Sequence, residues 1–396
     1  MSAGSYPNSP YRMEPAPVRQ FLMKVHSRCN LKCDHCYVYE HADQSWRLQP
    51  NVMRPKVIEQ AAIRIAEHAG KHDLPFVVVI FHGGEPLLAG TQTLDYAART
   101  IRRTVGSQTR IAFGVQTNGL LLDEAFLELF AAHGVSVGIS LDGSPAANDR
   151  HRLFADGRSS YAGVAAALRR LNNPRFRHLF GGILCTVDLA NEPVEVFEHL
   201  LSFEPPEIDF LLPHGHWDNP PPGRTADQTS APYGKWLIAI FDRWYHAKVQ
   251  ETRIRLFESI ISLLLGGPSG SENVGLGKVD LATIETDGSI ELVDILKSVA
   301  AGMAATGLHV EWNSFDEYLQ HPGAIARQAG LMSLGDTCRR CPIVGVCGGG
   351  QHAHRYREDT LFSNPSVYCA DLTLLIRHIA RRLATDLTVP PHIMTR

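Results

Sequence analysis

The sequence predicts an α/β fold: an open, partial (β/α)6 barrel followed by a smaller, loop-rich C-terminal domain. Strand-like apolar runs alternate with amphipathic helical stretches from Gln20 to about Pro213, the signature of parallel strands joined by crossover helices. Polar and glycine-rich residues cluster directly after those runs. From about residue 270 the texture changes to a hairpin signal and then a cysteine- and glycine-rich stretch.

The strands are read at "FLMKV", "FVVVIF" (76–81), "RIAFGVQ" (110–116), "VSVGISL" (135–141), "FGGILCTV" (180–187) and "IDFLL" (208–212). The helices between them fall at 54–69, 91–105, 123–133, 160–171 and 194–203. Six such units are too few for a closed eight-fold barrel and enough for an open one. The segments after the strands are "HSRCN", "HGGEP", "TNG", "DGS" and "PHGHWD", at the carboxyl edge where parallel α/β folds build their sites. "DNPPPGRTADQTS" (218–230) is a loop before a helix at about 233–249. In "LATIETDGSIELV" the "TDG" supplies the turn of a hairpin. The basic stretch "DLTLLIRHIARRLATDL" reads as a last helix.

With 38 basic and 41 acidic residues the chain carries no electrostatic footprint for nucleic acid. No apolar run is long enough to cross a membrane, and the Pro-, Ser- and Gly-rich start lacks the apolar core of a signal peptide. The expectation is a cytoplasmic protein with a disordered tail over 1–19. In a reducing compartment its eight cysteines do not form a disulfide framework. Cys185 reads as buried apolar packing. The others fall into two sets.

Cys29, Cys33 and Cys36 lie within eight residues, in "CNLKCDHC". Three thiolates can hold one metal centre, but a closed site wants four ligands, and no fourth Cys or His follows at a useful distance. Zinc is one reading; a four-iron cluster with one iron left open for a small molecule is the other. With its C-x3-C-x2-C spacing the sequence resembles the radical SAM superfamily. The resemblance implies that the amino and carboxylate groups of S-adenosyl-L-methionine (SAM) fill the open position, and that one electron from the [4Fe-4S] cluster releases a 5′-deoxyadenosyl radical. It places Gly83, Gly84 and Glu85 at the SAM amino group, where adjacent glycines admit close backbone approach and a carboxylate accepts from a charged amine. It places Asn118 and Ser140 against SAM, Arg152 at its carboxylate and His35 beside the adenine. Taken singly, "TNG" and "LDG" are ordinary turns. Their order behind the triplet is what counts.

Cys338, Cys341, Cys347 and Cys369 form a closed four-thiolate set, suited to zinc or to a second iron–sulfur cluster. Behind a radical SAM core this resembles the SPASM extension, whose outer auxiliary cluster occupies these positions. The cysteines of the inner auxiliary cluster are missing: the corresponding places are Val274, Val293 and Gln351, with a further slot near Asp280. Two [4Fe-4S] clusters are therefore expected, one binding SAM and one auxiliary, the latter an electron relay or a structural staple. The expected organisation is a radical SAM core over 20–230, a bridging helical region over 231–269 and a SPASM-type domain over 270–396.

"FLMKVHSRCNLKCDHCYVYEHADQSWR" together with "DFLLPHGHWD" resembles the FxsB-type maturases. That resemblance implies a ribosomally made precursor peptide as substrate. It further implies that an aromatic ring carbon is joined to the β-carbon of a residue two positions later, as a cyclophane. An electron donor such as flavodoxin or ferredoxin is the implied second partner. With no recognition domain visible before residue 20, the catalytic body, a separate protein or an exposed strand edge must grip the peptide. His214, His216 and Asp218, after the sixth strand, are candidates for proton removal, as is Asp142; His82 is a candidate for the pocket wall. The rival enzymatic reading is a sulfatase-type maturase that forms formylglycine, which generally keeps all the auxiliary ligands. The rival non-enzymatic reading is a zinc-binding interaction protein, which gives the open triplet no role.

Overall fold

The computed structural model describes residues 15–225 and 227–387. The expected tail lies outside them over residues 1–14. Residues 15–19 are not frayed: the Ala16 N–H donates to Gln328 Oε1 at 2.7 Å, and Val18 is fully buried with its N–H on His68 Nε2 at 2.9 Å. Among the described residues no helix is long and apolar enough to cross a membrane.

The described residues fold as two compact units, each assembled from separate stretches: 15–141, 148–183 and 279–328 in the first, and 142–147, 184–225, 227–278 and 329–387 in the second. In the first unit, strands β1 (Gln20–His26), β2 (Phe76–Gly83), β3 (Arg110–Thr117) and β4 (Val135–Ser140) run parallel. The crossover helices are α1 (Pro55–Lys71), α2 (Gly90–Val105) and α3 (Glu124–His133), followed by α4 (Tyr161–Leu171). Pro55 opens α1, where a missing N–H costs nothing. Asp123 caps α3 by accepting from the Phe126 N–H, and Gly134 ends that helix in the left-handed region. Buried β1 packs Phe21, Met23 and Val25 against Val77, Val79 and Phe81 of β2. The boundary between the units falls inside β5 (Phe180–Thr186), which holds the buried Cys185.

The hairpin β8 (Leu281–Ile284) and β9 (Ser289–Glu291) folds with the first unit, although about 140 residues separate it from β4 in the chain. Strand β8 lies parallel to β1 in the register Gln20↔Leu281 to Met23↔Ile284, and β10 (Ala305–His309) adds antiparallel to β9. The resulting order is β10-β9-β8-β1-β2-β3-β4. Gly288, at φ +105°, makes the expected turn. In the second unit β6 (Glu207–Leu211) pairs with the short β7 (Arg253–Ile254). Helices α5 (Pro193–Leu201), α6 (Pro232–Tyr245) and α7 (Arg255–Leu264) pack there with the C-terminal α10 (Cys369–Asp386). The first unit also holds the short α8 (Phe315–Leu319) and α9 (Pro322–Gln328).

A buried ionic network fastens the hairpin to the core. Lys24 Nζ of β1 lies 2.9 Å from Glu285 Oε1 and 3.2 Å from Asp294 Oδ2, and the Tyr37 hydroxyl donates to Asp294 Oδ2 at 2.8 Å. Lys297 pairs with Glu285 and, at 2.8 Å, with Glu291. Burial disfavours every charge here, yet Lys24 and Lys297 outweigh it at Glu285 and hold that carboxylate well below its usual value. Burial also opposes the charge on Lys24, but Glu285 and Asp294 raise it well above normal. Glu291 goes the other way: burial, then the Glu285 charge, pushes it up to about 7.

Removing one partner of such a network leaves an uncompensated charge. Lys297→Met should lower unfolding stability in urea by about 3–5 kcal/mol at pH 8. A carboxylate whose folded pKa is raised contributes stability below its unfolded pKa and loses it as pH rises. The deficit should therefore shrink between pH 8 and pH 5.5, as Glu291 takes up a proton through about 7. A deficit independent of pH would show that the network is not the cause.

Candidate cluster and cofactor site

The first cysteine set is built where β1 ends. The loop after His26 is zipped to the end of β2: the Gly84 N–H donates to the His26 carbonyl and the Glu85 N–H to the Arg28 carbonyl, both at 2.9 Å. Both glycines are required sterically. A Cβ on Gly83, at φ +146°, would lie 2.0 Å from the His26 carbonyl oxygen; one on Gly84 would lie 2.5 Å from that of Arg28 and 1.8 Å from the Tyr39 hydroxyl. The close approach read from the sequence is thus made first by the chain's own backbone.

Glu85 is buried and saturated. Its Oε1 accepts from the Thr117 hydroxyl at 2.6 Å and the Leu87 N–H at 2.9 Å, and its Oε2 from the Asn118 N–H at 2.8 Å. Burial pushes this carboxyl up to about 7 against those three donors. The contacts bind the ends of β2 and β3 together and aim Asn118, whose Nδ2 lies 2.8 Å from Asn30 Oδ1 and 3.7 Å from Cys29 Sγ. The Leu31 N–H reaches the same sulfur at 3.4 Å. Ser140 Oγ, at the end of β4, accepts from Gln116 Nε2 at 3.0 Å.

The long motif after the cysteines is scaffolding. Arg28 Nη1 donates to Ser27 Oγ and to the Trp46 carbonyl, both at 2.7 Å, while the Tyr39 hydroxyl donates to the Ser27 carbonyl at 3.0 Å. The Tyr39 ring meets Trp46 edge-on at 4.8 Å, and Arg28 stands over the same indole at 5.1 Å. The 148–153 segment is clasped to the cysteine loop: the Lys32 N–H donates to the Leu153 carbonyl and Asp34 Oδ1 pairs with His151 Nδ1, each at 2.8 Å. His35 meets the His151 ring at 5.3 Å, and the Arg152 charge acts on Cys36. The triplet, Asn118, Ser140, His35 and Arg152 therefore belong to one compact unit. His82, opposite Lys24 on β2, is lowered by burial and stands near the Lys24–Asp294 pair.

The donors fit iron–sulfur clusters. Burial pushes Cys29 up to about 12 and raises Cys36, so a bound cationic centre is needed to keep thiolates there. One zinc ion at ~2.3 Å from each sulfur would bring sulfurs to within about 3.8 Å of one another. Among the described residues, the ligating groups that converge within 4.8 Å are Asp34–His35–His151 and His68–His72–Asp316, and neither includes a cysteine. Soft thiolate donors suit an iron–sulfur cluster. The His68 group is a clamp: its Nε2 accepts from the Val18 N–H, so Nδ1 carries the proton and donates to Asp316 Oδ1 at 3.0 Å.

In the second unit Cys338, Cys341, Cys347 and Cys369 all line one cavity. Cys338 and Cys347 sit in single helical turns, Asp336–Arg339 and Val344–Cys347, and Cys369 begins α10. Burial pushes Cys347 up to about 12 and raises Cys338 and Cys369. A Cβ on Gly348 would lie 1.8 Å from the Gly275 carbonyl oxygen, so the "CGGG" turn needs glycine there. The inner-cluster places are held by other residues. Val274 is buried. Asp280 accepts from Gln20 Nε2 at 2.9 Å. Val293 precedes the 294–298 turn, and Gln351 caps the 352–355 turn.

Of the groups offered for proton removal, Asp142 Oδ1 accepts the Thr186 N–H at 2.8 Å and Asp218 Oδ2 the Glu358 N–H at 2.7 Å. His216 is buried edge-on to Tyr356. The His214 ring lies 6.1 Å from that of His354, itself held well below its usual value by burial and then by the two neighbouring histidines. Sequence reasoning missed His354, as it missed Arg28, Asn30, Tyr39 and Thr117. The signal for the last four was their adjacency to named motif residues.

Residues 23–200 match the model of the radical SAM superfamily and form a radical SAM domain. Among curated proteins the chain is similar to the cysteine-type anaerobic sulfatase-maturating enzyme of Clostridium perfringens (strain 13 / Type A), at 24% identity over 364 residues, 89% of this chain and 94% of the relative. It is 27% identical to the serine-type enzyme of Klebsiella aerogenes over 351 residues, 86% of this chain and 81% of that one. Among solved structures it resembles native anSMEcpe with bound AdoMet, with a TM-score of 0.79 at 21% identity, over 94% of this chain and 100% of that one. Streptococcus suis SuiB bound to precursor peptide SuiA follows with a TM-score of 0.57 at 12% identity, over 89% and 76%. At these identities the solved structures show the fold.

Two consequences can be measured. Replacing Cys29, Cys33 and Cys36 by Ala should abolish reductive SAM cleavage and reduce iron from about 8 to about 4 per chain, as expected for two four-iron clusters. Zinc in place of the residual iron would overturn the second cluster. Gly84→Ala drives a methyl group into the Arg28 carbonyl and should cause the same loss of about 4 irons with every cysteine present; full iron content would show that the zipper does not seat the loop.

Proposed function

We propose, on the strength of the radical SAM domain at residues 23–200, that the chain is a maturase that oxidises a peptide side chain at its β-carbon. The observation that carries this reading is the open three-cysteine loop fixed against Gly83–Glu85, Asn118 and Arg152 in one unit. SAM bound at that loop's cluster would supply the 5′-deoxyadenosyl radical that removes a β-hydrogen atom. The chain's own part is to hold and orient. Asn118 and the Leu31 N–H direct donors at Cys29, Arg152 takes the SAM carboxylate, Ser140 contacts SAM and His35 packs beside the adenine. The saturated carboxylate of Glu85 sets the shape of the amino-group subsite, with Gly83 and Gly84 leaving the room. The substrate radical would then lose one proton and pass one electron to a one-electron acceptor of the oxidised iron–sulfur class, so that the 5′-deoxyadenosyl radical and that acceptor each account for one electron of the two-electron oxidation. His214 is the proton acceptor to test, because Asp142 and Asp218 spend carboxylate oxygens on backbone N–H groups and His216 is buried.

The similarity to sulfatase-maturating enzymes favours oxidation of a single Ser or Cys residue to formylglycine. A specific observation favours the second reading, FxsB-type ring closure between an aromatic carbon and a β-carbon: Val274, Asp280, Val293 and Gln351 leave no thiolates for an inner cluster that could ligate the substrate. A β-carbon radical can add to a ring held beside it without metal contact.

Co-expression with the short peptide encoded beside its gene, and separately with a sulfatase-derived Cys or Ser peptide, followed by fragment mass spectrometry, separates the two. Ring closure predicts a two-hydrogen loss spanning an aromatic residue and the residue two positions later, with deuterium from that β-carbon appearing in 5′-deoxyadenosine. Formylglycine predicts an aldehyde at one residue. If neither peptide changes mass while SAM is still cleaved, the maturase reading fails. His214→Ala should slow product formation by about 10²–10⁴-fold if the imidazole is the base, with SAM cleavage continuing; unchanged product formation would exclude it.

A further inference from the structure

Asp34 and His35 sit on the turn between Cys33 and Cys36, which the Cys36 N–H closes on the Cys33 carbonyl at 3.2 Å. His151 sits on a second turn, where the His151 and Arg152 N–H groups donate to the Asn148 carbonyl at 3.2 and 2.8 Å. Asn148 is buried with its Nδ2 on Ser160 Oγ at 3.1 Å, and that hydroxyl donates to the Arg152 carbonyl at 2.5 Å. The two turns belong to one compact unit, and the Lys32 N–H joins them at the Leu153 carbonyl. Across the join, one ligating atom from each of Asp34, His35 and His151 lies within 4.8 Å of the others. Asp34 Oδ1 is 2.8 Å from His151 Nδ1 and 3.9 Å from His35 Nδ1.

One carboxylate and two imidazoles make a donor set for zinc and its transition-metal neighbours, whereas magnesium and calcium take oxygen. At zinc–ligand distances of ~2.0–2.2 Å a tetrahedral ion holds its ligand atoms about 3.3–3.6 Å apart. The shorter observed separation has to open, and the longer to close, by roughly half an ångström on that geometry. Both turns are already fixed by backbone hydrogen bonds, so little remains to be ordered on binding. Asp34 is exposed and both histidines are half-buried, which leaves the ligands open to an ion from solvent. The His68–His72–Asp316 group differs. His68 Nε2 accepts the Val18 N–H, and Lys71 Nζ stands 2.6 Å from Asp316 Oδ2, so a fixed tautomer and a resident cation fill it.

We propose that Asp34, His35 and His151 form a binding site for one divalent ion of the zinc class, with solvent at its fourth position. The site uses no cysteine, so it depends neither on what the triplet holds nor on the maturase reading. The ion replaces the hydrogen-bonding proton between Asp34 and His151, which leaves to solvent, and no electron moves. The consequence is mechanical. Without the ion, the cysteine loop and the 148–153 segment are clasped by hydrogen bonds, Lys32 to Leu153 and Asp34 to His151. With the ion, coordinate bonds close the second of these beside Cys33 and Cys36. His35 belongs to one side of the clip, and Arg152, next to His151, belongs to the other. The ion therefore ties together two segments that carry residues assigned above to SAM.

The test uses the full chain, reconstituted with iron and sulfide and freed of added thiol, so that the cysteines of both sets are engaged. Zinc titrated against a chromophoric chelator should bind at one ion per chain while iron stays at about 8, and excess magnesium should not displace it. Zinc-edge X-ray absorption should show nitrogen and oxygen at ~2.0 Å with imidazole scattering, and no sulfur at ~2.3 Å. Asp34→Asn keeps an oxygen to accept the His151 N–H but loses the charge, and His151→Gln removes a ligand. Each should weaken zinc by at least the ~10–100-fold that losing an outer-shell partner costs, at unchanged iron content. Sulfur around the zinc, or iron lost as zinc is gained, puts the ion in the cysteine sites and overturns the proposal. Equal affinity in parent and Asp34→Asn also overturns it, since the zinc is then an adventitious ion only, and so does failure of the parent to hold one zinc. Should a variant lose iron, the absorption spectrum of the parent still decides, because it needs no substitution.

Discussion

The structure of the first unit depends on one close approach, that of the Gly83–Glu85 backbone to the loop running from His26 to Cys29. Two glycines without side chains let two main-chain hydrogen bonds form where any Cβ would meet a carbonyl oxygen. From there the constraint spreads through Glu85. Its three donors come from the turn after β2 and the end of β3, so the carboxylate fixes the relative height of two strand ends and with it the position of Asn118. Asn118 in turn reaches Asn30 and the Cys29 sulfur. A radical-generating site has to hold its donors still, and here Asn118 is held by Glu85, which is itself buried and bonded to three donors.

The ionic network around Lys24 plays a different part. Burying five charged side chains is a poor way to gain stability, since well-packed apolar residues do as well or better. What the network supplies is registry. Strand β8 returns to β1 after a long excursion, and apolar pairing alone would allow it to slip by two residues. Lys24 meets Glu285 and Asp294 in one register only. Tyr37, next to Cys36, donates to Asp294, so the cysteine loop and the hairpin share an anchor.

Much of this was legible in the sequence because it is local. The six long strands and the helices between them follow apolar periodicity, and the observed bounds lie within a few residues of those read. The cysteine sets and the glycine pair announce themselves by spacing. What could not be read is what links distant segments. Nothing in "LATIETDGSIELV" says that it pairs with β1, because its strand pattern fits any partner. Glu285, Glu291, Asp294 and Lys297 look like a solvated charge run until Lys24 is placed among them. Arg28, Tyr39 and Trp46 were visible only as part of a resemblance; their stacking and hydrogen bonds explain why that motif extends well beyond the cysteines. Nor does chain order reveal that the hairpin folds with residues 15–141, while 184–225 and 227–278 fold with the second cysteine set.

The places where an inner cluster would find its ligands carry the argument about chemistry furthest. Asp280 spends its carboxylate on Gln20 and its carbonyl on the Arg19 and Gln20 N–H groups, which fixes the start of the β1–β8 pairing. Gln351 accepts the Ala353 N–H and caps a turn, and Val274 lies in the core beside the Gly275–Val346 hydrogen bond. Asp280 and Gln351 are engaged in the fold on their own terms, and replacing either by cysteine would remove a hydrogen bond before it supplied a ligand. The cysteine ligands available to this chain are thus confined to the open triplet and the closed set. Whatever holds a substrate in this chain must then come from side chains and backbone, not from thiolates of an inner cluster.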